Sequence, residues 1–167
     1  AASDVYKRQG IDIKPFEHLL DVPFFNSEHK NYCSEASAQM ILAYYGIDLD
    51  QEDIHNMGYW TYEQMRPLFE KYLDIIEFYE KPLEPMAKQF FQLKFILYNI
   101  TMGSPVLLRY QTNSQGDLHT IVVTGYTDSG FVLIVNDPDI GPVVVDWDKD
   151  IDNVKGLMAF RPKGEKW

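Results

Sequence analysis

Apolar positions change their period near the middle of the chain. Residues 33–102 read mostly helical, and residues 104–162 read as short strands with turn signals. In Asn31–Gly46, Ala36, Met40, Ile41 and Tyr44 recur at helical spacing on one face, and Gly46 is a natural stop just past the end. Asn31 or Ser34 can cap the start, which sets Cys33 in or beside the first turn. Asp50 opens a short helix through Met57. Thr61 with Gln64 fits a capping box for a third, which Pro67 kinks. Ile75–Tyr79 reads as a strand. Pro85–Thr101 reads as a longer helix with Phe91, Phe95 and Tyr98 on one face, ended by Met102-Gly-Ser-Pro105. Five strands follow: Val106–Tyr110, His119–Tyr126, Phe131–Asn136, Pro142–Trp147 and Gly156–Phe160, with Asp128-Ser-Gly130 as a tight hairpin turn. Short connections predict an antiparallel sheet, and helices before strands predict an α+β fold.

Composition narrows the class. The chain has 167 residues, 46 % hydrophobic and 24 % charged, enough for one packed domain and far from disorder. Twenty-five acidic against fifteen basic residues give a net charge of −10, which argues against a nucleic-acid partner. No apolar run approaches a membrane span. The segment Ala1–Gln9 resembles translated adapter sequence, so it is set aside as non-native and residues 10–167 are taken as a single domain. Compartment is left open between cytoplasmic and secreted, and oligomeric state is left open too.

Cys33 is the one cysteine, which removes disulfides and a cysteine-rich zinc site. A lone cysteine is more often an inert core residue. At a helix start, however, the macrodipole favours the thiolate, and the polar stretch Asn26–Lys30 keeps the thiol reachable. Four histidines could serve it as base. His18, His29 and His55 lie in polar surroundings and read as solvated imidazoles. His119 opens the apolar strand Thr120–Val123, where a side chain can face a cleft. Asn136-Asp137-Pro138 ends the next strand, and a hairpin at 128–130 returns residue 137 to the sheet end that holds residue 119. Asn-Asp-Pro is an ordinary turn sequence, yet a turn aspartate can also orient an imidazole.

Taken in order, Asp21-Val-Pro-Phe-Phe, Tyr32-Cys-Ser-Glu-Ala-Ser-Ala-Gln-Met-Ile-Leu, Gly103-Ser-Pro-Val, His119-Thr-Ile-Val-Val-Thr-Gly-Tyr and Asn136-Asp-Pro resemble papain-like cysteine peptidases of the bacteriocin (double-glycine) leader-peptidase-like family. The resemblance spans about residues 20–162. It implies an N-terminal helical lobe with Cys33 as nucleophile and a C-terminal β lobe with His119 as general base and acid and Asp137 as its orienting group. The implied reaction is hydrolysis of a peptide or protein substrate through a thioester, with no cofactor or metal.

Two positions depart from that pattern. The family usually has a glutamine six residues before the cysteine, as a donor to the oxyanion, and this chain has Ser27. Asn26 and Asn31 are nearby amides that could replace it. Ser34 stands where glycine commonly follows the cysteine. These departures leave two alternatives to a thiol amidohydrolase: a degenerate papain-like binding module, and a thiol acyltransferase on the same scaffold. Carrying over Gly-Gly specificity is unwarranted. Elsewhere, Phe24, Phe25, Tyr44, Tyr45, Phe90, Phe91 and Phe95 read as core. The alternating Asp146, Asp148, Asp150 and Asp152 read as a solvated acidic turn, lacking the glycine and glutamate of a calcium loop. Gly125 suits a bulge or a close packing contact.

Overall fold

A computed structural model describes residues 18–78, 85–112, 115–127 and 130–166. The elements run β1 (His18–Leu19), α1 (Cys33–Tyr44), α2 (Gln51–Asn56), α3 (Tyr62–Glu70), β2 (Leu73–Glu77), α4 (Pro85–Thr101), β3 (Val106–Gln111), β4 (Leu118–Tyr126), β5 (Val132–Asp137), β6 (Gly141–Asp146), α5 (Trp147–Asp150) and β7 (Val154–Pro162). The strands form one sheet in the order β2-β7-β3-β4-β5-β6, with β1 added on β4, and every pairing is antiparallel. The fold is α+β, as the change of period predicts.

Both faces of the sheet are covered. Leu107, Val122, Met158 and Phe160 join α1, α2 and α3 in one core, while their neighbours Leu108, Ile121, Val123, Leu157 and Ala159 join α4 and α5 in the other. The period of two along each strand sends alternate side chains to opposite layers. With apolar residues wanted on both sides, the strands read as continuous hydrophobic runs. Each fully buried Leu or Ile contributes about 1.5–3 kcal/mol.

The helices differ in part from expectation. Helix α1 is not one-sided: Ser34–Leu42 are all buried, so its polar Ser34, Glu35, Ser37 and Gln39 lie inside the molecule. Neither Asn31 nor Ser34 caps it. Tyr32 stands at the cap position without a side-chain hydrogen bond, and Asn31 adopts φ 71° just before it. Helix α4 presents Leu93, Ile96 and Ile100 to the sheet, leaving Phe90, Phe91 and Tyr98 exposed. The expected face was out of phase: the i, i+3, i+7 set that meets the sheet starts at Leu93. Of the seven aromatics read as core, Phe24, Phe25, Tyr44, Tyr45 and Phe95 pack against it and Phe90 and Phe91 do not. The start of α2 is as read, with Asp50 accepting from the Asp53 N–H at 2.7 Å, and in the α3 capping box the Thr61 N–H donates to Gln64 Oε1 at 3.2 Å.

The acidic stretch after β6 is a turn, as read, and it takes helical form with Asp148, Asp150 and Asp152 exposed. Asp146 accepts from the Asp148 and Lys149 N–H groups, and Trp147 beneath it is 1 % exposed. At Gly125 the β4–β5 register shifts, and an added Cβ would collide with the His18 carbonyl of β1. Residues 128 and 129 of the hairpin turn, Tyr79 and the segment 1–17 lie outside the described residues.

Candidate active site

Cys33 is the first residue of α1 and is half-buried. Hydrogen bonds fix the strand–helix geometry around it. Ser34 Oγ lies 3.2 Å from Thr120 Oγ1, and Ser37 Oγ donates to the Thr120 carbonyl at 3.2 Å. The first turns of α1 are therefore pinned to the residue after His119. Val122 pairs with Asn136 across β4 and β5, so residues 119 and 137 come to one end of the sheet. Asn136 Nδ2 donates to the Val22 carbonyl at 3.3 Å, which ties the segment before α1 to β5.

At that end His119 Nε2 meets Asp137 Oδ1 at 2.9 Å, and the Asp139 N–H donates to the same oxygen at 2.9 Å. The same ring also meets the thiol, for His119 and Cys33 are hydrogen-bonded through their side chains, and the Thr120 backbone also bonds the sulfur. His119 is 13 % exposed, with Tyr110 edge-on to its ring. Burial by itself disfavours both charges. The imidazolium nevertheless prevails, because Asp137 and then Cys33 bind it, and its pKa rises to about 10. Burial likewise raises the Cys33 thiol, but the hydrogen bonds from His119 and Thr120 and the imidazolium charge overcome it and leave the thiol below its ordinary value. The two groups thus favour a thiolate–imidazolium pair.

The loop before α1 is held from both sides. Gln51, 1 % exposed, donates to the Asn26 carbonyl at 2.7 Å and accepts from the Glu28 N–H at 3.0 Å. Ser27 reaches the other way: its N–H donates to the Pro138 carbonyl at 2.8 Å and its Oγ to Asp139 Oδ1 at 2.9 Å. Asp139 Oδ2 lies 3.7 Å from His119 Nδ1. Of the three oxyanion candidates, Ser27 therefore stands beside the site but is engaged by a carboxylate. Asn26 is placed through its backbone carbonyl, and Asn31 supplies the left-handed backbone that leads into the helix.

Of the other histidines, His18 and His29 are exposed, as read, and His55 is half-buried. His18 stacks on Tyr126, His29 pairs with Glu52 at 2.7 Å, and His55 pairs with the buried Glu35 at 2.9 Å. Donor atoms of His119, Asp137 and Asp139 lie close enough together to hold a metal ion, although the His119–Asp137 separation is that of a hydrogen bond. Thr120 and Gln51 escape a reading by sequence, and Asp139 could be read there only as a companion of Asp137 in an acidic cluster. Thr120 and Gln51 act through the fold, and the contact of Asp139 with Ser27 is set by the fold as well. Among the described residues no helix is long and apolar enough to cross a membrane.

A thiol at the start of a helix, set against a histidine and an aspartate from neighbouring antiparallel strands, defines a papain-like α+β arrangement. Solved structures share the architecture. A double glycine motif protease from an AMS/PCAT transporter, in complex with the leader peptide, matches with TM-score 0.61 and 16 % identity over 90 % of this chain and 97 % of its own. The peptidase domain of Streptococcus ComA, a bifunctional ABC transporter of a quorum-sensing pathway, matches with TM-score 0.61 and 12 % identity over 87 % of this chain and 99 % of its own. The chain belongs to the Peptidase_C39-like family, whose model matches residues 19–149. No curated protein matches it. Family and fold together support a peptidase.

Proposed function

We propose that the protein is a cysteine peptidase that cleaves a peptide bond through Cys33, His119 and Asp137. The observation that carries this is the double engagement of one imidazole, by Asp137 at 2.9 Å and by the Cys33 thiol. Asp137 fixes the ring and stabilises its cation. The Cys33 sulfur attacks the carbonyl carbon, and the carbonyl oxygen takes the negative charge. The imidazolium then gives its proton to the leaving amine as the C–N bond breaks. The neutral imidazole removes a proton from water, which attacks the thioester and returns the thiolate. First-turn N–H groups of α1, left without a side-chain cap, supply donors for the oxyanion.

A peptide substrate fits this chemistry, as does the leader peptide bound to one structural relative. One observation favours a second possibility. Ser27 donates its hydroxyl to Asp139, so it offers no donor to the oxyanion, as a module that binds without turnover would also show. The rate of Cys33 alkylation against pH decides between an activated and an idle thiol. Thiolate is the reactive form, so the rate falls as acid protonates it, and the lowered pKa places that fall below the ordinary thiol range. Turnover has a second limit on the alkaline side, as the imidazolium deprotonates at about 10. An alkylation midpoint at the value of a free thiol, about 8.5, would overturn the proposal.

A further inference from the structure

Asp139 sets a carboxylate beside the reacting atoms, and among the described residues no Lys or Arg side chain pairs with it. Among the described residues its ion-pair contact is His119 Nδ1, at 3.7 Å. Its side chain is 53 % exposed, and three hydrogen bonds hold its turn: Ser27 Oγ to Asp139 Oδ1, the Ser27 N–H to the Pro138 carbonyl, and the Asp139 N–H to Asp137 Oδ1. The carboxylate is thus placed rather than swinging, and it is open to solvent.

Its location has chemical consequences. His119 Nε2 is taken by Asp137, so Nδ1 is the nitrogen that serves the thiol and protonates the leaving amine. A leaving amine must come to Nδ1 to take its proton, so a carboxylate 3.7 Å from that nitrogen would stand near the amine side of a bound substrate. An anion there opposes both the thiolate and the developing oxyanion, unless a positive charge arrives with the substrate. We propose that Asp139 is a specificity residue that selects substrates carrying a cationic group, a Lys or Arg side chain, just beyond the scissile bond on the amine side. The net charge of −10 adds long-range attraction of the same sign. Binding of that cation offsets the charge of Asp139, so the substrate completes the electrostatics of its own site. This inference rests on the peptidase proposal.

Charged thiol reagents test it without a known substrate. Two methanethiosulfonates share one reactive group and differ in charge: one carries an ethyltrimethylammonium group, the other an ethylsulfonate. Each forms a mixed disulfide with Cys33 and releases methanesulfinate, and mass spectrometry follows the rate. In Asp139→Asn the ratio of cation to anion rates should drop roughly tenfold, because each reagent shifts about threefold in opposite senses. The control Asp74→Asn removes the same charge from β2, three strands away from β4, and should move the ratio less than about twofold. Asp139→Ser, which keeps a hydroxyl beside Ser27, should match Asp139→Asn and guards against a folding defect in either one. A ratio that falls no further in the Asp139 variants than in Asp74→Asn overturns the inference. Failure of the peptidase proposal looks different: the neutral methyl reagent would then react with Cys33 no faster than with a simple thiol, whatever the charge ratio.

Discussion

Two histidine–carboxylate pairs flank the start of helix α1, and they are equal in length. His119 meets Asp137 at 2.9 Å, and His55 meets Glu35 at 2.9 Å. Only the first of them faces the thiol. His119 gives Nε2 to its carboxylate and is also hydrogen-bonded to Cys33, whereas His55 gives Nδ1 to Glu35 and lies between the rings of Tyr32 and Trp60, at 4.6 and 5.3 Å. The carboxylates differ as well. Glu35 is 1 % exposed and one of its oxygens has no partner, so His55 compensates a charge buried inside the helical layer. An imidazole held by a carboxylate is therefore not a site in itself. The atom placed at its other nitrogen decides whether the pair does chemistry or joins two helices.

The largest expected effect separates the two pairs by activity. Cys33→Ala and His119→Ala should each lower peptide cleavage by about 10³-fold or more, while His55→Ala should stay within about threefold of the parent protein. Equal losses in His119→Ala and His55→Ala, measured as kcat/KM on one substrate, would erase the distinction. Asp137→Asn comes next. It keeps the shape of the side chain but removes the charge that holds the imidazolium, so kcat should fall by about 10²–10⁴ with little change in melting temperature.

Stability should rank the pairs the other way round. His55→Ala leaves the Glu35 carboxylate buried with neither oxygen partnered, at a cost of about 2 kcal/mol. For a chain of this size that is a drop of about 4–8 °C in thermal midpoint. Glu35→Gln should recover part of it in the His55→Ala background, since a neutral amide is cheaper to bury than a charge.

The contrast also marks what the sequence can convey. Strand runs such as Thr120–Val123 and caps such as Asp50 are local signals, and they place the elements to within a few residues. Cys33, His119 and Asp137 were legible because a helix start, a strand mouth and a turn aspartate each have a local mark, and the family resemblance ordered them. Asp139 and Glu35 were not. Their roles depend on what the fold brings opposite them: Ser27 across 112 positions in one case, His55 across 20 in the other. The phase of α4 was lost for a related reason. Its sheet-facing side includes the polar Gln92 and Asn99, while Phe90, Phe91 and Tyr98 point outward, so apolarity alone picks the wrong side.

The smallest expected effect concerns Ser34, the residue that departs from the glycine common in the family. Ser34 is 4 % exposed and its Oγ lies 3.2 Å from Thr120 Oγ1, itself in a residue 1 % exposed. Ser34→Ala strands one buried hydroxyl and should cost about 1 kcal/mol, seen as about 2–4 °C in thermal midpoint. Thr120→Val should cost a similar amount for the same reason. The double variant removes both polar atoms together, so it should be less destabilised than the sum of the singles by about 1 kcal/mol. Because Thr120 also bonds the Cys33 sulfur through its backbone, slippage at this contact should raise the thiol midpoint slightly in Ser34→Ala. Additive losses with an unmoved midpoint would mean that Ser34 only fills space. Coupled losses with a shifted midpoint would show that this hydroxyl pair keeps the helix-borne thiol in register with the strand-borne histidine, which nothing around His55 has to do.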